Sequence, residues 1–300
     1  MYSSFLLLLL SKMFLMMLVE DEYQVLLKQR WLFTQYEKVL FCIDKIPQEN
    51  FEQKYGLCFA QALFKGAQIY RRIATKKSLN QALVYHQKAL VMRMQHMNDH
   101  ALEIAHSYVG LGATYNELKG DLNNMQAIEC YNKALTIYEY HHAISKRYRA
   151  STLNNLANAY RDLNNEHISR AITYLNCALE LFSELPNDLD CQREQAKIFY
   201  NQGVNYYLLG GSSNRHVALD FLNKAKSFFK SHDDIARYAL TLSYLGNVYR
   251  DMGVEYIITA IDCLKDALRI QKKFYSENHP EVAVTLGRLE VAVSARDNAL

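Results

Sequence analysis

The sequence is 300 residues long, half of its residues are hydrophobic, and its formal net charge at pH 7 is +3. A chain of this length and composition can bury a large core. Its lysines and arginines are dispersed among acidic residues, unlike the basic stripes of nucleic-acid-binding domains, so we do not expect a nucleic-acid partner.

Residues 1–22 form a hydrophobic N-terminal segment, with apolar runs at residues 5–10 and 13–19 separated by Ser11 and Lys12. A secretory signal would carry positive charge before such a run and small residues after it, and a membrane-spanning helix needs about 20 apolar residues. Neither pattern is met. We favour a helix that packs on the rest of the chain, or an imperfect gene start. The alternative is membrane association through residues 1–19.

Residues 23–50 contain most of a predicted helix that extends from Asp21 to Ile46, with an apolar stripe that includes Trp31 and Tyr36, and Pro47 ends it. Apolar residues at this spacing predict a helix with one buried face. The segment lacks the repeat signature found downstream, as terminal units of repeat arrays often do. We interpret it as an N-terminal cap or a degenerate repeat.

Residues 51–300 contain a repeated pattern in which two alanines, seven positions apart, flank a larger residue. The five copies are Ala82-His86-Ala89, Ala127-Tyr131-Ala134, Ala171-Leu175-Ala178, Ala218-Leu222-Ala225 and Ala260-Leu264-Ala267. Successive copies lie 42 to 47 residues apart. A period in this range predicts a solenoid of helix pairs, in which small and large residues on facing helices interlock.

A second signature precedes each copy and ends, in four of the five, on a tyrosine. It is found at residues 111–115, 156–160, 202–206 and 245–249, with a weaker version at 65–69. A glycine or alanine in it allows two helices to approach closely, and the tyrosine fills the space beside that contact.

The two signatures together resemble those of the tetratricopeptide repeat family, in a long-repeat variety similar to the kinesin light chain array. The resemblance implies an all-α fold, a right-handed superhelical solenoid of antiparallel helix pairs. It covers about five pairs, predicted at residues 57–97, 99–142, 146–184, 190–231 and 234–274. A last helix, from Glu281 to about Arg296, is expected to cap the final pair with Val282, Leu286, Leu289 and Val293.

No catalytic or metal-binding motif is present in the sequence, so we predict a protein without enzymatic activity, metal or cofactor. His96 and His100 lie one helical turn apart, but they lack acidic or cysteine companions. The six cysteines show no metal-binding spacing, and Cys130, Cys177 and Cys263 fall among predicted core positions. We expect these three to be buried, reduced thiols, which favours a cytoplasmic location.

The resemblance also implies a concave groove lined by the first helix of each pair. We expect the groove positions to point into solvent. They are His106, Val109 and Asn116 in the second pair, Asn154, Asn155, Asn158 and Arg161 in the third, Lys197, Tyr200, Asn201 and Asn205 in the fourth, and Ser243, Asn247 and Arg250 in the fifth. Asparagine both donates and accepts hydrogen bonds, so it suits the backbone of a bound peptide, and arginine suits a carboxylate.

We therefore expect a protein-interaction scaffold that binds a peptide or helical segment of a partner protein in this groove, and no small-molecule substrate. Two alternatives remain: the recognition or regulatory array of a larger effector or enzyme, and a membrane-tethered assembly factor. A heat-shock chaperone tail is an unfavoured ligand. Asn158 and Asn201 match two positions of the family's chaperone clamp, but Asn154, Leu240 and Tyr244 stand where basic residues are expected.

Overall fold

The computed structural model describes residues 48–95, 101–275, 277 and 279–298, and every regular element within these ranges is helical. The predicted segment 1–22, nearly all of segment 23–50, His96 and His100 lie outside the described residues. The chain divides into two compact units, one that ends at Leu118 and one from Lys119 to Leu300. None of the described helices combines the length and the apolar character needed to cross a lipid bilayer.

The first unit contains the helices α1 (Gln48–Ile73), α2 (Lys76–Met94) and α3 (Ala101–Leu118). Consecutive helices pack against each other. Helix α2 begins with a capping box, because the hydroxyl of Thr75 accepts a hydrogen bond of 3.1 Å from the backbone N–H of Ser78. Such a cap satisfies an N–H group that has no partner within the helix itself.

The second unit consists of eight α-helices and two short 3₁₀ turns, which precede α6 and α10. The helices are α4 (Asp121–Tyr140), α5 (His142–Leu163), α6 (Ile168–Ser183), α7 (Leu189–Leu209), α8 (Ser212–Ser231), α9 (Ile235–Met252), α10 (Ile257–Phe274) and α11 (Pro280–Asp297). Neighbours in sequence pack together, so that α5 with α6, α7 with α8 and α9 with α10 form the expected helix pairs.

The repeated alanines are fully buried. All ten have 0% of their surface exposed, and the larger residue between each pair of alanines is buried to the same degree or to 1% exposure. The alanine pattern in the sequence is therefore the packing pattern of the second helices, as predicted.

Glycines allow the first helices to approach this packing surface. A Cβ atom placed on Gly203 of α7 would lie 2.5 Å from Cγ of Leu222 in α8, and one on Gly246 of α9 would lie 2.5 Å from Cγ of Leu264 in α10. No side chain fits at such a distance. The same kind of close contact therefore occurs within each of these two helix pairs: a glycine of the first helix accommodates the central leucine of the alanine pattern in the second helix.

The signature tyrosines pack beside these contacts. Tyr160 stacks on Tyr174 with 5.5 Å between ring centroids, and Tyr206 stacks on Phe221 at 5.8 Å. In the last pair Tyr249 stacks on Tyr256 at 6.1 Å. Offset-stacked rings at these distances stabilise a contact beyond the area they bury.

Helix α11 covers the last pair, but with a different set of residues than the sequence predicted. Val282 is 2% exposed, and Leu289 and Val293 pack on the cluster of Ile257, Ile261 and Leu264. Leu286 is 40% exposed, so its expected role in the contact is wrong. Its neighbour Thr285 takes the inward position instead and is 1% exposed.

In α2 the centre of the alanine pattern is His86, where three of the other four copies have leucine. Its ring is fully buried, neither nitrogen has a hydrogen-bond partner among the residues that the structure describes, and Phe64 packs edge-on against it at 5.1 Å. Burial, aided by the nearby cations Arg71 and Arg93, lowers the pKa of His86 to about 3. The histidine is therefore neutral in the folded protein near pH 7.

The cysteine prediction is only partly correct. The four described cysteines, Cys130, Cys177, Cys191 and Cys263, are free thiols. Cys177 is exposed, although it was expected in the core, and Cys130 and Cys263 are half-buried. Cys177 precedes the buried Ala178 by one residue, and one residue turns a helix by about 100°, which brings its side chain to the outer face.

We predict that Gly203→Ala destabilises the protein in spite of the higher helix propensity of alanine. The new methyl group would collide with Leu222, and overpacking of this kind costs roughly 1–3 kcal/mol. The matched control is Gly287→Ala in α11, where an added Cβ meets no atom within 4 Å. The control should gain up to about 1 kcal/mol in the free energy of urea unfolding. Equal effects of both variants would contradict the close contact.

We predict that His86 makes the protein less stable as the pH falls. The unfolded chain binds a proton at this residue near its ordinary pKa of 6.5, whereas the folded chain does so only near pH 3. Stability should therefore fall from pH 6.5 downwards, by on the order of 2 kcal/mol at pH 5. His86→Leu, which introduces the leucine of the later repeats, should remove this loss.

The control for that measurement is His216→Leu, which removes an exposed histidine of α8. Free energies of urea unfolding at pH 7 and pH 5 should differ less for His86→Leu than for the parent chain and the control. The same pH dependence in all three chains would show that His86 titrates normally.

Candidate functional site

An open cavity of about 200 Å³ lies on the first-helix face of the second unit, where α5, α7 and α9 lie next to each other. We call it the α5–α9 pocket. It is lined by Asn154, Asn158, Lys197, Tyr200, Asn201, Arg237 and Leu240. The structure thus brings together five of the predicted groove residues, two from α5 and three from α7.

An asparagine bridge forms the floor of the α5–α9 pocket. The Nδ2 group of Asn201 donates a hydrogen bond of 2.7 Å to Oδ1 of Asn154, and each of these residues is 7% exposed. Arg161 extends the network, since its Nη1 donates to Oδ1 of Asn158 at 3.0 Å and lies 3.5 Å from Oδ1 of Asn201. Asn201 therefore uses both ends of its amide inside the protein.

Three uncharged hydrogen-bond donor groups in the pocket remain unused. The Nδ2 groups of Asn154 and Asn158 and the hydroxyl group of Tyr200 have no hydrogen-bond partner among the described residues. Burial, and then the neighbouring Tyr244, raise the pKa of Tyr200 far above its ordinary value. Its hydroxyl group stays protonated near neutral pH and can donate a hydrogen bond to a ligand.

The cations around the α5–α9 pocket are each paired with a carboxylate. Nζ of Lys197 lies 2.6 Å from Oε1 of Glu194, Arg237 is paired with Asp234, and Nε of Arg161 lies 2.9 Å from Oδ1 of Asp162. Asp234 also caps α9 by accepting a hydrogen bond from the backbone N–H of Arg237. The pocket therefore presents hydrogen-bond donors without a large excess of positive charge.

Several predicted groove residues are buried, and the expectation that they point into solvent is wrong for them. Asn154 and Asn201 form the bridge described above, and Asn205, Ser243 and Asn247 are between 0% and 5% exposed. The physical reason is that neighbouring first helices contact each other along this face. Within its own helix, Asn205 also donates a hydrogen bond of 2.8 Å to the backbone carbonyl of Asn201.

The remaining predicted groove residues lie outside the pocket lining. Arg161 and Asn155 are partly exposed on α5, and Asn116 with His106 and Val109 belongs to the first unit. Arg250 is paired with Asp251 and lies 3.5 Å from the hydroxyl group of Tyr207. The sequence suggested that these arginines could bind a ligand carboxylate. In the structure, Arg161 and Arg250 are each already paired with an aspartate of the chain.

Two lining residues were not among the predicted site residues. Arg237 was missed, and Leu240 was considered only as a departure from the chaperone clamp. Both lie on α9 three residues apart, on one helical face, which the sequence does show. Arg237 lies near the start of its helix, whereas the prediction was confined to the middle of each first helix.

No metal site is formed by the described residues, since they contain no group of three or more histidine, cysteine, aspartate or glutamate residues able to hold an ion. The uncharged polar groups of the α5–α9 pocket are three amides and a hydroxyl group. Such groups orient a ligand through hydrogen bonds.

Comparisons with known proteins support the helical-repeat fold. A family model described as tetratricopeptide repeat matches residues 149–172, which span most of α5 and the start of α6. No curated protein matches the sequence.

The solved structures that are similar to the chain include the three that follow. BtubC (BKLC) from P. vanneervenii is 20% identical, with a TM-score of 0.60, over 82% of this chain and 92% of that one. The apo form of RapI is 16% identical, with a TM-score of 0.58, over 92% and 98% of the two chains. A variant (Q17M) of putative kinesin light chain repeats from Podosopora anserina is 15% identical, with a TM-score of 0.51, over 67% and 89%.

These similarities confirm the predicted fold. The described part of the chain is an all-α array of helix pairs with a tetratricopeptide-repeat-like fold. Proteins with this fold generally mediate contacts between proteins.

We predict that Asn201→Ala lowers stability more than Asn158→Ala does. Loss of the Asn201 amide leaves the buried Oδ1 of Asn154 without its donor, which costs roughly 1–3 kcal/mol. Asn158 is more exposed, and Arg161 retains Asp162 when it is removed, so that change should stay within about 0.5 kcal/mol. Urea unfolding of both variants measures the difference. Equal losses would show that the asparagine bridge does not stabilise the fold.

Proposed function

We propose that this chain is a non-catalytic protein-interaction scaffold and that its α5–α9 pocket binds the backbone of an extended peptide segment from a partner protein. The observation that carries the proposal is the convergence of three unused donors, on Asn154, Asn158 and Tyr200, in one open cavity. A polypeptide backbone offers acceptors in the form of its carbonyl groups, which lie at regular intervals along an extended chain.

The orientation of the asparagines supports this choice of ligand. Asn158 accepts from Arg161 through its oxygen, and Asn154 accepts from Asn201 through its oxygen, so the Nδ2 group of each remains as a donor. A donor that is left unpaired when a ligand covers it costs free energy. The pocket therefore favours ligands that bring acceptors, and Leu240 adds an apolar contact for a side chain.

The charge of the pocket argues against recognition by long-range electrostatics. Lys197, Arg237 and Arg161 are paired with acidic residues. A ligand carboxylate would have to replace one of these partners. Binding should therefore depend only weakly on salt concentration, since no excess of cations attracts the ligand from a distance.

The volume of the cavity favours an extended peptide segment over a small molecule as the ligand. Its volume of about 200 Å³ is below the range of roughly 300–1,000 Å³ that is typical of small-molecule pockets. Such a cavity accommodates a short stretch of a longer ligand.

We also propose a cytoplasmic location, which the free state of the four described cysteines supports.

The proposal is tested with a peptide selected from a displayed random library on the full-length chain and then labelled with fluorescein. In the double variant Asn158→Ala/Tyr200→Phe, two donors are removed while the packed core is kept. Each lost hydrogen bond leaves a ligand acceptor unsatisfied at roughly 1–3 kcal/mol. Fluorescence polarisation should therefore show at least about a tenfold loss of affinity.

The matched control is Asn132→Ala/Tyr140→Phe, which makes the same chemical changes at exposed positions of α4. The control should bind the peptide like the parent chain, and raising the salt concentration from 50 to 500 mM should change the affinity of the parent chain by less than about threefold. If the control loses affinity and the pocket variant keeps it, or if no peptide is selected, the proposed site is wrong.

A further inference from the structure

A chain of contacts connects the last helix, α11, to the α5–α9 pocket. The guanidinium carbon of Arg288 lies 4.3 Å from the centroid of the Tyr244 ring in α9. The Nη1 group of the same arginine donates a hydrogen bond of 2.9 Å to the hydroxyl group of Ser243, the residue next to Tyr244. Arg288 thus contacts α9 both through the side-chain hydroxyl group of Ser243 and through the aromatic ring of Tyr244.

Tyr244 passes this contact on to the pocket. Its ring meets the ring of Tyr200 edge-on, with 5.7 Å between centroids and an angle of 85°. It also meets Tyr207 of α7 edge-on, at 6.4 Å and 78°. Tyr200 lines the pocket, whereas Tyr244 and Arg288 do not. The position of the Tyr200 hydroxyl group therefore depends on a ring that lies behind it.

The surroundings of Arg288 leave its cation directed at this ring. No acidic side chain of the described residues lies within ion-pair distance of Arg288, in contrast to the paired cations around the pocket. Ser243 and Thr285 are each 1% exposed, and their hydroxyl oxygens lie 3.0 Å apart. A guanidinium group over an aromatic face, without a competing carboxylate, keeps the full attraction to that ring.

We propose that Arg288 is a positioning residue for the α5–α9 pocket, which fixes Tyr244 and, through it, the hydroxyl group of Tyr200. The last helix thereby sets how well the pocket is organised for a ligand. This role in binding rests on the proposed function, but the positioning itself does not, and the two can be measured separately.

The test uses the full-length chain with 3-fluorotyrosine incorporated at position 200, without any ligand. Arg288→Met keeps the aliphatic stem and removes the cation, and it should shift or broaden the ¹⁹F resonance of residue 200. Arg288→Lys restores a cation over the ring and should return the resonance towards that of the parent chain. The matched control is Arg296→Met, which removes an exposed arginine of the same helix that is paired with Asp297.

If the ¹⁹F resonance of residue 200 is unchanged in both Arg288→Met and Arg296→Met, the proposal is wrong. If Arg288→Met does not fold, Arg288→Gln serves the same comparison, because glutamine keeps a donor for Ser243 and lacks the cation. An unshifted resonance in that variant overturns the proposal in the same way.

The library-selected peptide provides the second readout. Its affinity should fall by about two- to fivefold in Arg288→Met, the range expected from loss of one cation–π contact, and recover in Arg288→Lys. Failure of peptide binding to the parent chain would refute the proposed function and leave the ¹⁹F result to decide on Arg288. A shifted ¹⁹F resonance with unchanged peptide affinity would show that Arg288 positions Tyr200 without any effect on binding.

Discussion

The close contact between a small residue on one helix and a large residue on the next is the constraint on which the rest of the structure depends. Gly203 leaves only 2.5 Å between an added Cβ and Leu222, and Gly246 stands in the same relation to Leu264. The alanines on either side of these leucines are fully buried. This contact fixes the spacing between the two helices of these pairs. It therefore also determines which face of each first helix remains available for contacts with other helices or with a ligand.

That remaining face is where the site lies, and its polar residues serve two ends. Asn201 is held by Asn154 and Arg161 and stabilises the contact between α5 and α7. Asn158 and Tyr200 lie in the same cavity with donors that no described residue uses. Groups that stabilise the fold and groups that are available to a ligand are thus adjacent. A substitution at Asn201 therefore tests stability, whereas substitutions at Asn158 and Tyr200 test binding.

Much of the fold was predictable because it is encoded by spacing. The buried state of Ala171, Leu175 and Ala178 follows from the repeat. Orientation on the other faces was less predictable. Cys177 is exposed, because one residue turns the helix by about 100° and the outer neighbour of a core alanine cannot be recognised without its surroundings. Asn205 is buried by contacts that arise only when the helices stack, and Arg237 joins the pocket from the first turn of α9.

We propose that side-chain donors of the α5–α9 pocket form hydrogen bonds with carbonyl groups of the ligand. The most direct measurement is the ¹⁵N–¹H spectrum of the asparagine side chains in the full-length chain, with the Asn158 amide assigned from Asn158→Ala, before and after addition of the library-selected peptide. We expect the Nδ2 protons of Asn158 to shift downfield and to exchange more slowly with water when the peptide is bound. A saturating amount of bound peptide that leaves the Asn158 amide unchanged would contradict the account.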